Sequence, residues 1–135
     1  MIRSVDFISK YEAQCLAPSD DVAVISITGA LGIPLTLSGF YRVLPLEFQD
    51  VRQAGEMWAF NQKHAAAIIA FVEELHASPK EIDLVVHCKA GVSRSAAVSL
   101  YVAGKTGCAF ARRDLAGGAN RLVLQVLAKV EAGGE

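Results

Sequence analysis

Cysteine is scarce in this chain and spaced too widely for pairing to be read from it. Cys15, Cys88 and Cys108 are an odd count in 135 residues, with no Cys-x2-Cys pair. That usage argues against a secreted disulfide framework and for a reducing compartment. The three histidines, His64, His76 and His87, form no His-x3-His pair, so no metal is expected. An excess of one charge is also missing. With 13 basic and 14 acidic side chains the net charge is −1, which leaves no global field to attract nucleic acid or an anionic membrane. Neither partner is expected, and any anion site has to be built locally. The start, MIRSVDFISKYE, lacks the long apolar core of a signal peptide, so a cytoplasmic location is expected. Val22 to Tyr41 is uncharged and has the length of a membrane span. Gly29, Gly32, Pro34 and Gly39 interrupt it, so it reads as a buried strand running into a loop. Repeats, low-complexity segments and linkers are absent, and 53% hydrophobic content suits one domain over residues 1–135. Nothing in the sequence fixes an oligomeric state.

What is present alternates between two periods. Residues 21–28, DVAVISIT, are nearly continuously apolar and β-branched, as in a strand covered on both faces. Residues 41–48, YRVLPLEF, read as another strand, which Pro45 confines to an edge or an end. From Glu56 to about Ser78 the apolar positions Trp58, Ala65, Ile68, Ile69, Val72 and Leu75 follow helical spacing, and Pro79 stops the run. IDLVVHC, 82–88, is a further buried strand. A helix is expected from Arg94 to near Gly104 and Gly107, and a last one from about Asn120 to Val130. The AGGE tail is expected to fray. Strand and helix alternate, so the expected class is α/β: a mostly parallel central sheet flanked by helices.

The stretch HCKAGVSRSA, 87–96, carries the chemistry. Its strand would deliver Cys88 to the carboxyl edge of the sheet, where open α/β sheets bind ligands. A short loop entering a helix aims several backbone N–H groups into one concavity, and the helix dipole adds positive character there. Gly91 permits the sharp turn. A cysteine in such a cradle is favoured as thiolate, its pKa falling from ~8.5 to roughly 3.5–7.5 in comparable settings. Arg94 adds a planar fork that matches two phosphate oxygens. The spacing therefore suits attack on a phosphoryl group by a thiolate.

His87, Cys88, Arg94 and Ser95 match the H-C-x5-R-[ST] signature of cysteine-dependent protein tyrosine phosphatases. In full, HCKAGVSRS resembles the dual-specificity branch, where H-C-x-A-G-x-S-R-S is usual. The resemblance covers roughly the last two-thirds of the chain and is strongest at 85–102. It implies a hydrolase working through a phosphocysteine intermediate on Cys88. Lys89, Ala90, Gly91, Val92, Ser93 and Arg94 would bind the phosphoryl group, Arg94 would also bind the transition state, Ser95 would stabilise the thiolate as leaving group, and His87 would orient the loop. No cofactor or metal is implied. The substrate would be a phosphorylated protein or a small phosphomonoester: phosphotyrosine first, with phosphoserine and phosphothreonine open. Val92 stands where phosphoinositide phosphatases often carry a basic residue, which counts against a lipid.

The same resemblance requires an acid for the leaving oxygen, on a separate loop about 30 to 40 residues before the cysteine. Asp50 lies 38 residues before Cys88 and is the chosen candidate, with Glu47 as rival. The W-P-D sequence of the receptor-like and cytosolic tyrosine phosphatases is absent. ANRLVLQVL, 119–127, is similar to the P-N-x-G-F-x-x-Q-L segment of dual-specificity phosphatases, which implies that Asn120 braces the phosphate loop. The proline, glycine and phenylalanine of that segment are missing.

Two other readings stay open: a phosphate-binding module without an effective acid, and a sulfurtransferase or arsenate reductase using a similar cysteine loop. Elsewhere, Cys15 and Cys108 read as core, His64 and His76 as solvated or rim positions, Trp58 as helix core and Lys89 as facing solvent. Arg112 and Arg113 read either as a substrate-facing pair or as a solvated one.

Overall fold

The computed structural model describes residues 1–134; Glu135, the last of the AGGE tail, lies outside them. Four parallel strands form the sheet in the order β1-β4-β2-β3: β1 Ile2–Ser9, β2 Val22–Thr28, β3 Arg42–Glu47 and β4 Ile82–Cys88. Helices α1 Lys10–Gln14, α2 Gln62–Ala77, α3 Arg94–Thr106 and α4 Arg121–Glu131 connect and cover them, with a 3-10 turn at Arg113–Gly118. The expected α/β class with a parallel sheet is what the chain adopts.

The β-branched runs take the sheet centre. β4 pairs with β1 on one side and β2 on the other, which suits its mostly apolar sequence. Alternation divides the strand side chains between two faces. Ala23, Ile25 and Ile27 of β2, with Ile82, Leu84, Val86 and Cys88 of β4, meet the apolar stripes of three helices. Those stripes are Ala65, Ile68, Val72 and Leu75 of α2, Ala97, Val98 and Val102 of α3, and Val123 and Leu127 of α4. Val24, Ser26 and His87 fall on the opposite face and are buried as well.

Several sequence expectations are corrected here. A strand at 2–9 went unread, because its apolar residues are broken by Arg3, Ser4 and Asp6. Arg3 and Ser4 both bond Asp83 of β4, at 2.7 to 3.0 Å, so these polar positions are paired across strands, Arg3 at the surface. α2 begins at Gln62, not near Glu56. Asn61 caps it by accepting from the Lys63 and His64 N–H groups, and His64 Nδ1 accepts from Asn61 N–H in return. Such a reciprocal box fixes a helix start. Trp58 is therefore not helix core: it sits in the preceding loop at φ +65°, half exposed. The expectation for Pro45 holds: it lies inside β3, and β3 is an edge strand, where a missing N–H is tolerated. Val22 to Tyr41 forms β2 and the loop after it, and among the described residues no helix is long and apolar enough to cross a membrane. At the tail, Gly133 and Gly134 close α4. Their N–H groups bond Val130 and Lys129 carbonyls, with Gly133 at φ +84°, the closing pattern that glycine favours after a helix.

Cys15 is exposed rather than core, and Cys108 is half-buried against the main cluster. His76 is tied down, its Nδ1 accepting from Ile2 N–H at 3.2 Å.

The packing makes a direct prediction. Ile68 is fully buried on α2, so Ile68→Ala is expected to lower unfolding free energy by about 2–5 kcal/mol. Leu31 is 97% exposed, and Leu31→Ala is expected to stay within about 0.5 kcal/mol of the parent. Urea denaturation of the two variants checks both.

Candidate active site

β4 ends at Cys88 and α3 begins at Arg94, so five residues turn the chain from sheet edge to helix. Gly91 makes this turn possible for two reasons. Its φ is +71°, and a Cβ there would lie 2.4 Å from Ser9 N and 2.5 Å from the Ile8 carbonyl carbon. The loop is thus seated on the end of β1, where Lys10 N–H also bonds Lys89 O at 3.1 Å. Only glycine satisfies both the angle and the approach.

At the other end of the turn, Ser93 occupies the N-cap position of α3 but forms no side-chain cap. Its hydroxyl donates instead to Asp50 Oδ1 at 2.8 Å. The first N–H groups of a 13-residue helix are consequently left for another acceptor, which is the makings of an anion site.

Cys88 is buried in this cradle, its Sγ 3.1 Å from Ser95 Oγ. Burial alone would push the thiol up. Hydrogen bonding from the Ser95 hydroxyl, the Ser95 and Gly91 backbone N–H groups, and the Arg94 charge outweigh it and hold Cys88 below its ordinary range. Arg94 is itself buried, and its Nη1 donates to Phe48 O at 2.9 Å. That anchor, just after β3, aims the guanidinium at the cavity beside the loop, which Arg94 lines.

His87 faces away from the helices and is held by Ser26 on the adjacent strand, Oγ to Nε2 2.6 Å. Its Nδ1 is buried without a partner among the described residues. Burial holds the imidazole below its usual pKa, the Lys10 and Arg94 charges adding to this against a smaller opposite pull from the Cys88 backbone. His87 is thus a neutral brace on β4.

Asn120 ties the separate parts together. Fully buried, it accepts from Val123 N–H to cap α4, and its Nδ2 donates to Asp50 Oδ1 at 2.7 Å and to Val51 O at 3.0 Å. Its backbone N–H donates to Ser93 O at 3.1 Å. The brace on the phosphate loop is therefore made by the backbone, whereas the side chain grips the Asp50 loop. Both side-chain bonds that Asp50 receives end on Oδ1, leaving Oδ2 without a partner among the described residues.

The structure brings Asp50 to the loop and leaves Glu47 elsewhere. Glu47 closes β3 and borders a separate pocket with Trp58 and His64. Lys89 is exposed, as expected, and also lines the cavity. Val92 is exposed on the loop. Arg112 pairs with Asp6 at 3.2 Å and Arg113 lies over the Phe110 ring, so neither forms a free pair. His64 is half-buried against Phe48 and Phe60, and burial lowers its pKa. Among the described residues no three His, Cys, Asp or Glu side chains gather to hold a metal ion.

No protein-family model and no curated protein matches the sequence. A solved structure does: the crystal structure of the human tyrosine phosphatase-like serine/threonine/tyrosine-interacting protein, at TM-score 0.54. The match covers 84% of this chain and 78% of that one. This chain has a phosphatase-like fold. At 21% identity the likeness extends to architecture and not to activity.

The motif 87–95 is readable in the sequence as residue types at fixed spacing, whereas the residues that support the loop are not. Ser26 carried a usable signal, being a polar side chain inside an otherwise apolar strand. Phe48 carried none, since its contribution is a backbone carbonyl.

The depressed thiol is measurable. In a Cys15→Ser/Cys108→Ser background, Cys88 alkylation by iodoacetamide is expected to reach its thiolate plateau at lower pH than a free thiol. Ser95→Ala, which deletes the hydroxyl donor, moves the curve upward and slows alkylation at neutral pH by roughly tenfold. An unchanged curve in Ser95→Ala contradicts the hydrogen-bond assignment.

Proposed function

We propose that this protein is a cysteine-dependent phosphatase that hydrolyses phosphomonoesters through a phosphocysteine on Cys88. The observation that carries the reading is the convergence of a depressed thiol, a buried arginine and an uncapped helix N-terminus on one small loop. The match of HCKAGVSRS to the dual-specificity phosphatase pattern and the phosphatase-like fold support it.

The cradle holds the phosphoryl oxygens on backbone N–H groups of residues 89–94 and on the Arg94 fork. The Cys88 thiolate attacks phosphorus, an S–P bond forms and the P–O bond to the alcohol breaks. Asp50 gives its proton to the departing oxygen. Water then attacks phosphorus and passes a proton to the Asp50 carboxylate; the S–P bond breaks, and inorganic phosphate leaves. The Ser95 hydroxyl, bonded to Sγ, stabilises the thiolate as it departs. Asp50 suits the acid role because Ser93 and Asn120 hold it at the rim through one oxygen and leave the other uncommitted. Aryl phosphates such as phosphotyrosine are the first substrate class, with phosphoserine and phosphothreonine next.

A phosphate-binding module without turnover would use the same cradle and differ at the acid. The two separate on one assay: metal-free hydrolysis of p-nitrophenyl phosphate. Turnover is expected from the parent and none above background from Cys88→Ser. Asp50→Asn is expected to lose about 10²–10⁴-fold in kcat for an alkyl phosphate, whose leaving oxygen needs the proton, and less for p-nitrophenyl phosphate. A folded parent protein that binds tungstate but does not turn over would establish the binding-module reading instead.

A further inference from the structure

Beside the nucleophile lies a cavity of about 460 Å³, within the size range of small-molecule sites. A single phosphoryl group, held by the loop amides and Arg94, does not account for its charge. Two more cations, Lys10 and Lys89, share its walls, and among the described residues no Asp or Glu does. Asp50 is not part of this wall; Gln49 is.

Hydrogen bonds hold part of the cavity wall in place. Residues 29–33 turn tightly, with Gly32 N–H bonding Gly29 O at 2.9 Å, and Lys10 Nζ fastens the turn by donating to Ile33 O at 2.8 Å. Gly29 lies against the end of the Gln49 side chain, Oε1 being 2.7 Å from where a Cβ would stand. Lys10 is itself placed by its backbone bond to Lys89 O. One of its three ammonium donors is used on Ile33 O, and no carboxylate lies within ion-pair distance of it or of Lys89 among the described residues. Two unneutralised ammonium groups beside a phosphate cradle favour a ligand with a second anionic group.

Resting on the phosphatase reading, we infer that Lys10 and Lys89 form a second anion subsite, and that the substrate is a small phosphomonoester whose alcohol portion carries a further phosphate. Leu31 and Ile33, 97% and 78% exposed, stand on the same wall and give the carbon scaffold between the two phosphates an apolar contact.

Calorimetric titration of the folded protein with methylphosphonate and with bisphosphonates of increasing methylene number tests this without any turnover. At least one bisphosphonate is expected to bind about tenfold more tightly than methylphosphonate, the effect of one charge-assisted hydrogen bond. Lys10→Met is expected to abolish that excess while methylphosphonate affinity stays within about twofold, and Lys10→Arg to keep it. Lys10→Gln supplies a second variant should Lys10→Met fail to fold. No excess for any bisphosphonate, or an excess that survives Lys10→Met or Lys10→Gln, overturns the subsite. If a doubly phosphorylated peptide gains over its singly phosphorylated form through Lys10 while bisphosphonates gain nothing, the small-molecule assignment falls. Failure of methylphosphonate itself to bind removes the cradle and the phosphatase reading together. Turnover of p-nitrophenyl phosphate without any bisphosphonate preference removes the subsite alone.

Discussion

A helix that starts without a side-chain cap has to find acceptors elsewhere for its first N–H groups, and the site of this protein depends on that constraint at α3. Ser93 stands where a serine would ordinarily cap the helix, but its hydroxyl is turned to Asp50. The amides it would have satisfied are available to Cys88 and to a phosphate. Glycine at 91 lets the same backbone close onto the end of β1. One serine rotated outward and one residue without a side chain thus convert a strand-to-helix turn into an anion cradle. The sheet supplies rigidity beneath it, since β4 is paired on both sides up to its last residues.

The Asp50 loop couples to this cradle through a short set of bonds. Asp50 receives Ser93 and Asn120, Asn120 holds Val51 and caps α4, and Phe48 receives Arg94. Asp50, Arg94 and the loop between β4 and α3 are therefore positioned by overlapping contacts. Beyond Val51 the loop is mostly exposed, up to the buried Ala59 and Phe60 that lead into α2. Segments with few buried contacts open at low free energy. Asp50 is thus tied to the loop at one end of a largely exposed segment.

The α/β class and three of the four strands were legible because continuous β-branched runs and helical spacing are strong local signals. β1 was hidden because Arg3, Ser4 and Asp6 break its apolar pattern, and the partner that explains two of them, Asp83, is remote in sequence. The false start of α2 has a similar origin. Trp58 fits a helical spacing, but the Asn61–His64 box ends the loop later. At the site, the loop from His87 to Ser95 was readable because its chemistry depends on residue type at fixed spacing. Of the two acid candidates, Asp50 is the one held by the loop and by Asn120, whereas Glu47 closes β3. Support from backbone atoms, such as Phe48 O, and from cross-strand neighbours, such as Ser26, has no fixed sequence spacing from the motif and emerges with the fold.

The claim on which the account rests is that Cys88 becomes phosphorylated. Rapid acid quench of the protein mixed with an aryl phosphate, followed by peptide mass spectrometry, reads this directly. The account predicts one phosphoryl group on the peptide containing Cys88, appearing before steady-state release of inorganic phosphate. Steady hydrolysis with no label on that peptide at any quench time, under conditions that preserve a phosphocysteine standard, would contradict it.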